Sequence, residues 1–173
     1  DEQNILAIID MQNFSRPIKS RNIVATIPGT SRKLRKEKIV IGGHLDSWDL
    51  ATGAIDNGIG AFSIIDMARV FKSTQLQSKR TIEFVLFMGE EQGLLGSKHM
   101  TSKYKSDKKL QEVKLMMNLD MVNNVRGFNA MGNDELKTFF DQVGMSIQQV
   151  DTSFANANSN RAGLHSDHQP FML

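Results

Sequence analysis

Thr81-Ile-Glu-Phe-Val-Leu-Phe-Met-Gly-Glu-Glu-Gln-Gly93 is the stretch on which the reading of this chain turns. β-Branched and aromatic residues run from Thr81 to Met88, a pattern that predicts a central strand. The run stops at a glycine, and two adjacent carboxylates follow it, Glu90 and Glu91. On an extended backbone neighbouring side chains point to opposite faces. Where the strand ends and the chain turns, both can address one cavity from different angles, one as a ligand and the other handling a proton. Alone, the pair also reads as exposed charge at a helix start, where negative charge is favourable.

Working outward, strands and helices alternate. Asn22 to Ile27 alternates and ends at Pro28-Gly29, which predicts a strand and a turn. Lys38 to Gly43 is a short apolar strand ending in glycines, and the basic run between these two strands suits a hairpin loop. Gly58 to Phe71 has apolar residues at helical spacing. Further helices are predicted over Gly93 to Tyr104 and over Asp134 to Val143, the latter capped by Asn133. Val113 to Met121 reads as a strand, and Asp151 to Asn160 as an Asn-rich loop. The fold expected is α/β, a mixed sheet flanked by helices. In such folds ligands collect at strand carboxyl ends.

The 173 residues suit a single domain, and 40% apolar residues with ten Phe and ten Met suffice for a globular core. The net charge of +2 is nearly balanced. The basic runs Ser31 to Lys38 and Lys103 to Lys109 read as solvated loops. No aromatic residues interleave a basic stripe, which argues against nucleic acid as a partner. The chain has no cysteine, which excludes thiol catalysis, Cys-zinc sites and disulfides. That composition fits an exported protein, periplasmic or extracellular. A chain starting at Asp1 reads as a mature protein whose targeting segment has been removed. No apolar run is long enough to span a bilayer.

The residues with chemistry to offer all fall near predicted strand ends. His44-Leu-Asp46 follows one strand and Glu90-Glu91 another. Asp120 lies near the end of a third, in apolar surroundings where a charge is costly unless paired or metal-bound. Asp56 precedes the first helix. Singly, His44 reads as a core or surface histidine, with Asp46 able to orient its imidazole, and Asp56-Asn-Gly58 as a turn or cap. Together, one His and several carboxylates from separate strand ends make an oxygen-rich site suited to a pair of zinc ions.

Five segments carry a resemblance: Gly42-Gly-His-Leu-Asp-Ser-Trp48, Gly53-Ala-Ile-Asp-Asn-Gly-Ile-Gly60, Gly89-Glu-Glu-Gln-Gly-Leu-Leu-Gly-Ser97, Asn118-Leu-Asp-Met121 and His165-Ser-Asp-His-Gln-Pro-Phe171. In this order they resemble the motifs of the M28 family of zinc peptidases, and the form His44-Leu-Asp-Ser-Trp-Asp49 most resembles its plasma glutamate carboxypeptidase-like branch. The resemblance implies a zinc-exopeptidase-like fold and an enzyme that hydrolyses small peptides, as an aminopeptidase first of all. It implies that Asp56 bridges two zinc ions, that His44 and Asp120 complete one of them, and that Glu91 binds the other. Glu90 would be the general base, and the Asp56-Asn57 peptide would be cis. His165 and His168 would line the pocket and could contact the reacting carbonyl oxygen. The family's final zinc ligand is a His in a motif beyond the Ser-Asp-His segment, which these residues do not reach. The expectation is therefore a fold lacking its C-terminal part, with one incomplete zinc site, an exposed sheet edge and weak activity. Two alternatives remain open: a single-zinc glutaminyl cyclase-like acyltransferase, and a catalytically inactive binding module of the same fold.

Overall fold

The structure, a computed structural model, describes residues 6–163 and 165–172. Its centre is a four-stranded sheet of β1 (Ile23–Ile27), β2 (Lys38–His44), β3 (Thr81–Phe87) and β4 (Val113–Asn118), in the order β1-β3-β2-β4. β2, β3 and β4 are parallel and β1 is antiparallel to β3. The mixed sheet expected from the alternation of elements is thus present.

The hairpin expected of β1 and β2 is not. β3 lies between them and takes up both, pairing Ile23 with Leu86 on one side and His44 with Phe87 on the other. The reason is burial. β3 is apolar on both faces from Ile82 to Phe87 apart from Glu83, so it belongs in the sheet interior. β1 is mostly exposed and sits at an edge. The basic run folds as turns over residues 32–36, and the Glu37 carbonyl oxygen accepts the amide hydrogen of Thr81 at 3.0 Å.

Helix α1 (Ile59–Ser73) covers one face of the sheet and α2 (Leu95–Ser106) the other. The alternation along β2 and β3 divides the core accordingly. Ile41, Ile82, Phe84 and Leu86 pack with Ala61 and Ile64 of α1. Val40, Val85 and Phe87 pack with Met100 and Tyr104 of α2. Gly42 is required in this second layer, because a Cβ there would stand 2.6 Å from the Phe87 ring. The same face holds a buried polar cluster at the amino end of the strands. Lys38 Nζ lies 2.7 Å from Glu83 Oε1 and 4.4 Å from the Tyr104 ring centroid, and the Tyr104 hydroxyl donates to Glu83 Oε2.

The topology decides where a site can form. From β2 the chain crosses through α1 to β3 on one side, then through α2 to β4 on the other. β2 is therefore the point at which the strand order reverses, and its carboxyl end opens into a crevice between diverging loops. Beyond β4, Asn133 caps α3 (Asp134–Gln148) by accepting the Leu136 amide hydrogen at 2.9 Å. α3 packs through Phe140 on Phe128, whose ring in turn meets Phe154. The Asn-rich stretch after it is mostly loop, tied to the segment before α3 by a bridge between Asn129 and Ser159. Among the described residues β4 pairs on one side only. No described helix is long and apolar enough to cross a membrane.

Candidate active site

His44 is the last residue of β2, at the reversal point, and only 1% of its side chain is exposed. The register places it opposite Phe87 of β3 and places Gly42 opposite Asn118 of β4. The loops that follow these partners carry Glu90, Glu91 and Asp120. β4 ends at Asn118, earlier than the run to Met121 suggests, so Asp120 lies in a bend beyond the strand. Its half-buried carboxylate is there free to turn toward His44. Asp56 comes from an irregular turn before α1. Its φ of −112° and ψ of 92° are not helical, and the Asp56-Asn57 peptide is cis.

Four of the singled-out side chains meet. His44 Nε2 lies 3.1 Å from Asp56 Oδ1 and 3.4 Å from Asp120 Oδ1. One ligand atom each from His44, Asp56 and Glu91 falls within 4.8 Å of the others. Asn57 braces this arrangement from beneath. Its buried amide donates to the carbonyl oxygens of His44 (3.2 Å) and Leu119 (2.9 Å), and its Oδ1 accepts the Met121 amide hydrogen at 3.1 Å. One side chain thereby joins the ends of β2 and β4 to the start of α1.

The imidazole has a fixed tautomer. Nδ1 lies 2.9 Å from the backbone carbonyl oxygen of Asp46, which can only accept, so Nδ1 carries the hydrogen and Nε2 faces the carboxylates. The Asp46 carboxylate is farther from the ring, at 3.9 Å. It is occupied elsewhere: Oδ1 accepts the amide hydrogens of Gly89 (2.8 Å) and Glu90 (3.1 Å), and Oδ2 that of Glu91 (3.2 Å). It therefore shapes the turn that presents the two glutamates.

Crowded carboxylates around one imidazole distort the titration of each. Burial of His44 opposes protonation, but the hydrogen bonds to Asp120 and to the Asp46 carbonyl, with the charges of Asp120 and Glu90, outweigh it and push its pKa up to about 9. Burial pushes Glu90 up to about 7, against the pull of His44 and helped by Asp120, Asp167 and Glu91. Glu91 is raised by burial and then by Asp56. Asp120 is lowered: burial works against this, but hydrogen bonds from His44 and Ser166 prevail. A cluster of this kind calls for a cation. Two ligands at ~2.0–2.1 Å on a tetrahedral zinc ion stand about 3.3 Å apart, and the two His44–carboxylate separations bracket that value. Glu91 Oε1 is buried with no hydrogen-bond partner, as a ligand atom without its ion would be. The donor set, one neutral imidazole nitrogen and several carboxylate oxygens, fits zinc.

Of the two histidines of the last motif, His165 is exposed, with Nδ1 3.4 Å from Gln169 Oε1. His168 is half-buried, and its charge contributes to lowering Asp120. The reading of the sequence passed over the residues between them. The Ser166 hydroxyl donates to Asp120 Oδ2 at 2.7 Å and accepts from the Asn118 side chain at 2.8 Å. Asp167 is fully buried, and neither of its oxygens has a hydrogen-bond partner of ordinary length. Burial pushes its carboxyl up to about 6, a rise tempered by the Ser97 hydroxyl and by the charge of His44. The usable signal was the motif itself, a Ser and an Asp between two histidines.

The chain is similar to several known proteins. A probable leucine aminopeptidase of Arthroderma benhamiae is 38% identical over 136 residues, covering 72% of this chain and 33% of that protein. Carboxypeptidase Q of Xenopus laevis is 33% identical over 132 residues, covering 76% and 27%. The structure of a zinc aminopeptidase from Bacillus subtilis superposes with a TM-score of 0.71 at 30% identity, over 87% of this chain and 37% of that one. A glutaminyl cyclase from an Acidobacteriales bacterium superposes with a TM-score of 0.70 over 87% and 54%, but at 20% identity, a likeness of fold alone. The chain spans about a third of the length of the curated relatives it matches. The sequence profile of peptidase family M28 matches residues 22–172, and the chain belongs to that family.

Proposed function

We propose that this chain builds the catalytic centre of a co-catalytic zinc exopeptidase that cleaves small peptides, acting from the amino end. The observation that carries the reading is the convergence of His44, Asp56, Glu91 and Asp120 around one point at the carboxyl end of β2, with Glu90 on the same turn as Glu91. His44, Asp56 and Asp120 would hold one ion, and Asp56 with Glu91 a second. When bound, zinc supplies a Lewis acid for the scissile carbonyl and a water whose pKa is lowered toward ~7.

The protein's own groups handle geometry and protons. The Asp46 carbonyl keeps the His44 hydrogen on Nδ1, and Ser166 fixes the rotation of the Asp120 carboxylate. Glu90 takes a proton from the attacking water as its oxygen bonds to the carbonyl carbon. It returns that proton to the amine nitrogen as the C–N bond breaks. A carboxylate on the same turn as a metal ligand is well placed for both transfers. Catalytic zinc usually has three protein ligands. On this reading the described residues would supply three at one position, and Asp56 and Glu91 at the other. His168, which acts on Asp120, is the candidate within these residues for a further contact with the centre.

The test is Glu90→Gln, which preserves shape and removes the base. Zinc content should be retained while hydrolysis of aminoacyl and dipeptide substrates falls by about 100-fold or more. Near-normal turnover would refute the assignment. Release of ammonia from peptides with N-terminal Gln, by protein holding a single zinc, would replace this reading with that of a glutaminyl cyclase, whose fold is shared. The cysteine-free composition supports export, which cell fractionation would test.

A further inference from the structure

The loop between His44 and Asp56 borders an open cleft of about 280 Å³ beside the candidate centre. The cavity is lined chiefly by Ser47, Trp48, Thr52 and Ile55, with Asp56 and Glu91 in its wall. The loop is tied at both ends. Leu45 donates its amide hydrogen to the Phe87 carbonyl oxygen at 2.8 Å, and Gly58 donates to the Gly53 carbonyl oxygen at 2.6 Å. Between them a turn closes from the Ala51 amide to the Trp48 carbonyl oxygen at 3.2 Å. Gly53 has a φ of 63°, and a Cβ there would stand 2.9 Å from Ser47 Oγ, so glycine lets the loop fold onto Ser47.

This loop displays its apolar residues. Trp48 is 59% exposed and Ile55 56%. Large exposed apolar side chains grouped at a cleft mark a place where a ligand covers them. Besides these and the two carboxylates the lining is alanine, glycine and hydroxyl residues, and it holds no Lys or Arg. An acidic side chain would find no basic partner in this lining. The volume is at the small end of ligand cavities, ~300–1,000 Å³ for drug-sized molecules, and suits one side chain.

Resting on the peptidase reading above, we propose that this cavity is a specificity subsite for a large apolar side chain on a residue flanking the scissile bond, with the Trp48 indole as its wall. The cleft offers apolar contact with Trp48 and Ile55, hydroxyls at the rim, and continuity with the carboxylates of Asp56 and Glu91.

Trp48 is the sole tryptophan of the chain, so its emission reports the cavity directly. In the zinc-loaded protein carrying Glu90→Gln, to prevent turnover, Leu-Gly, Gly-Leu, Glu-Gly and Gly-Gly are titrated while Trp48 emission is followed. A saturable shift with one leucine dipeptide, absent with Gly-Gly and Glu-Gly, is expected, and the responding dipeptide identifies which side of the bond the cavity serves. In parallel, Trp48→Ala and the more conservative Trp48→Phe are assayed in protein with Glu90 intact. The kcat/KM preference for the responding leucine dipeptide over its glycine counterpart should fall by roughly tenfold or more in Trp48→Ala and less in Trp48→Phe. No saturable shift with either leucine dipeptide, an equal shift with Gly-Gly, or an unaltered preference in both variants overturns the subsite, whatever the hydrolytic rate. A leucine-specific shift in protein that hydrolyses none of these peptides upholds the subsite and overturns the peptidase reading.

Discussion

Asp46 separates two accounts of how the centre is held. Its carboxylate could orient the His44 imidazole, or it could build the turn that carries Glu90 and Glu91. The distances favour the turn: three amide hydrogens at 2.8, 3.1 and 3.2 Å against 3.9 Å to Nδ1. Asp46→Asn keeps one oxygen for Gly89 and Glu90 but sets an amide NH₂ against the Glu91 N–H. One hydrogen bond to a charged acceptor, worth about 1.5–3 kcal/mol net, is lost and the others are weakened. The Asp46 side chain is only 10% exposed, so water replaces little of this. We expect a loss of about 2 kcal/mol in the chelated protein, near 1 M in a urea midpoint at the m-values usual for small proteins. Because Glu91 rides on the same turn, zinc affinity should fall with it. The His44 ring resonances should hardly move, since the Asp46 carbonyl still holds Nδ1. Unchanged urea stability together with a displaced His44 titration would refute the reasoning and return the carboxylate to the imidazole.

Three further outcomes are expected. Asn57→Ala removes three hydrogen bonds from a buried junction and should destabilise the chelated protein by about 3 kcal/mol; Asn57→Asp, whose carboxylate would face two carbonyl oxygens, should be at least as harmful in the same denaturation assay. Glu83→Gln leaves the Lys38 ammonium without its anion where the two side chains are only 18% and 8% exposed, and thermal unfolding should register a loss of about 3 kcal/mol. In chelator, stability should fall as pH rises. His44, lifted from 6.5 to about 9, contributes stability present in full below 6.5 and lost through 9, and Glu90, lifted from 4.5 to about 7, likewise holds in the folded state a proton that the unfolded chain releases. Added zinc must displace such protons, so its affinity should rise over the same range, as isothermal titration at several pH values would register.

Much of the fold was legible because the patterns are local. Apolar runs ended by glycines marked β2 and β3, and helical spacing marked α1, whose buried face is that of Ala61 and Ile64. Asn133 signalled the start of α3 correctly. Sheet order was less accessible. Two strands flanking a short basic loop look like a hairpin, yet the apolar character of β3 on both faces gives it the interior place. That preference depends on what competes for the same edge, which no window of sequence contains. The extent of β4 was overread for a related reason: Leu119 and Met121 continue the apolar run, but Asn57 captures the Leu119 carbonyl and the Met121 amide and ends the strand at Asn118.

The candidate site divides in the same way. Residues bearing a charge or an imidazole declared themselves, because Asp120 in apolar surroundings and Glu90 beside Glu91 are costly without a purpose. The groups that place them did not. Asn57, Ser166 and the Asp46 carbonyl are ordinary polar groups whose importance lies in their partners, and those partners are far away in sequence. Asn57 reaches Leu119, and Ser166 reaches Asp120. The strand reversal at β2 accounts for this. By setting β3 and β4 on either side of β2, it brings three loops to one histidine, and each loop end must then be pinned by a bond to another. A site of this construction fails by parts. Loss of a ligand should weaken metal binding, whereas loss of a pin such as Asn57 should also lower the stability of the protein without metal, and the two classes can be told apart by measuring both.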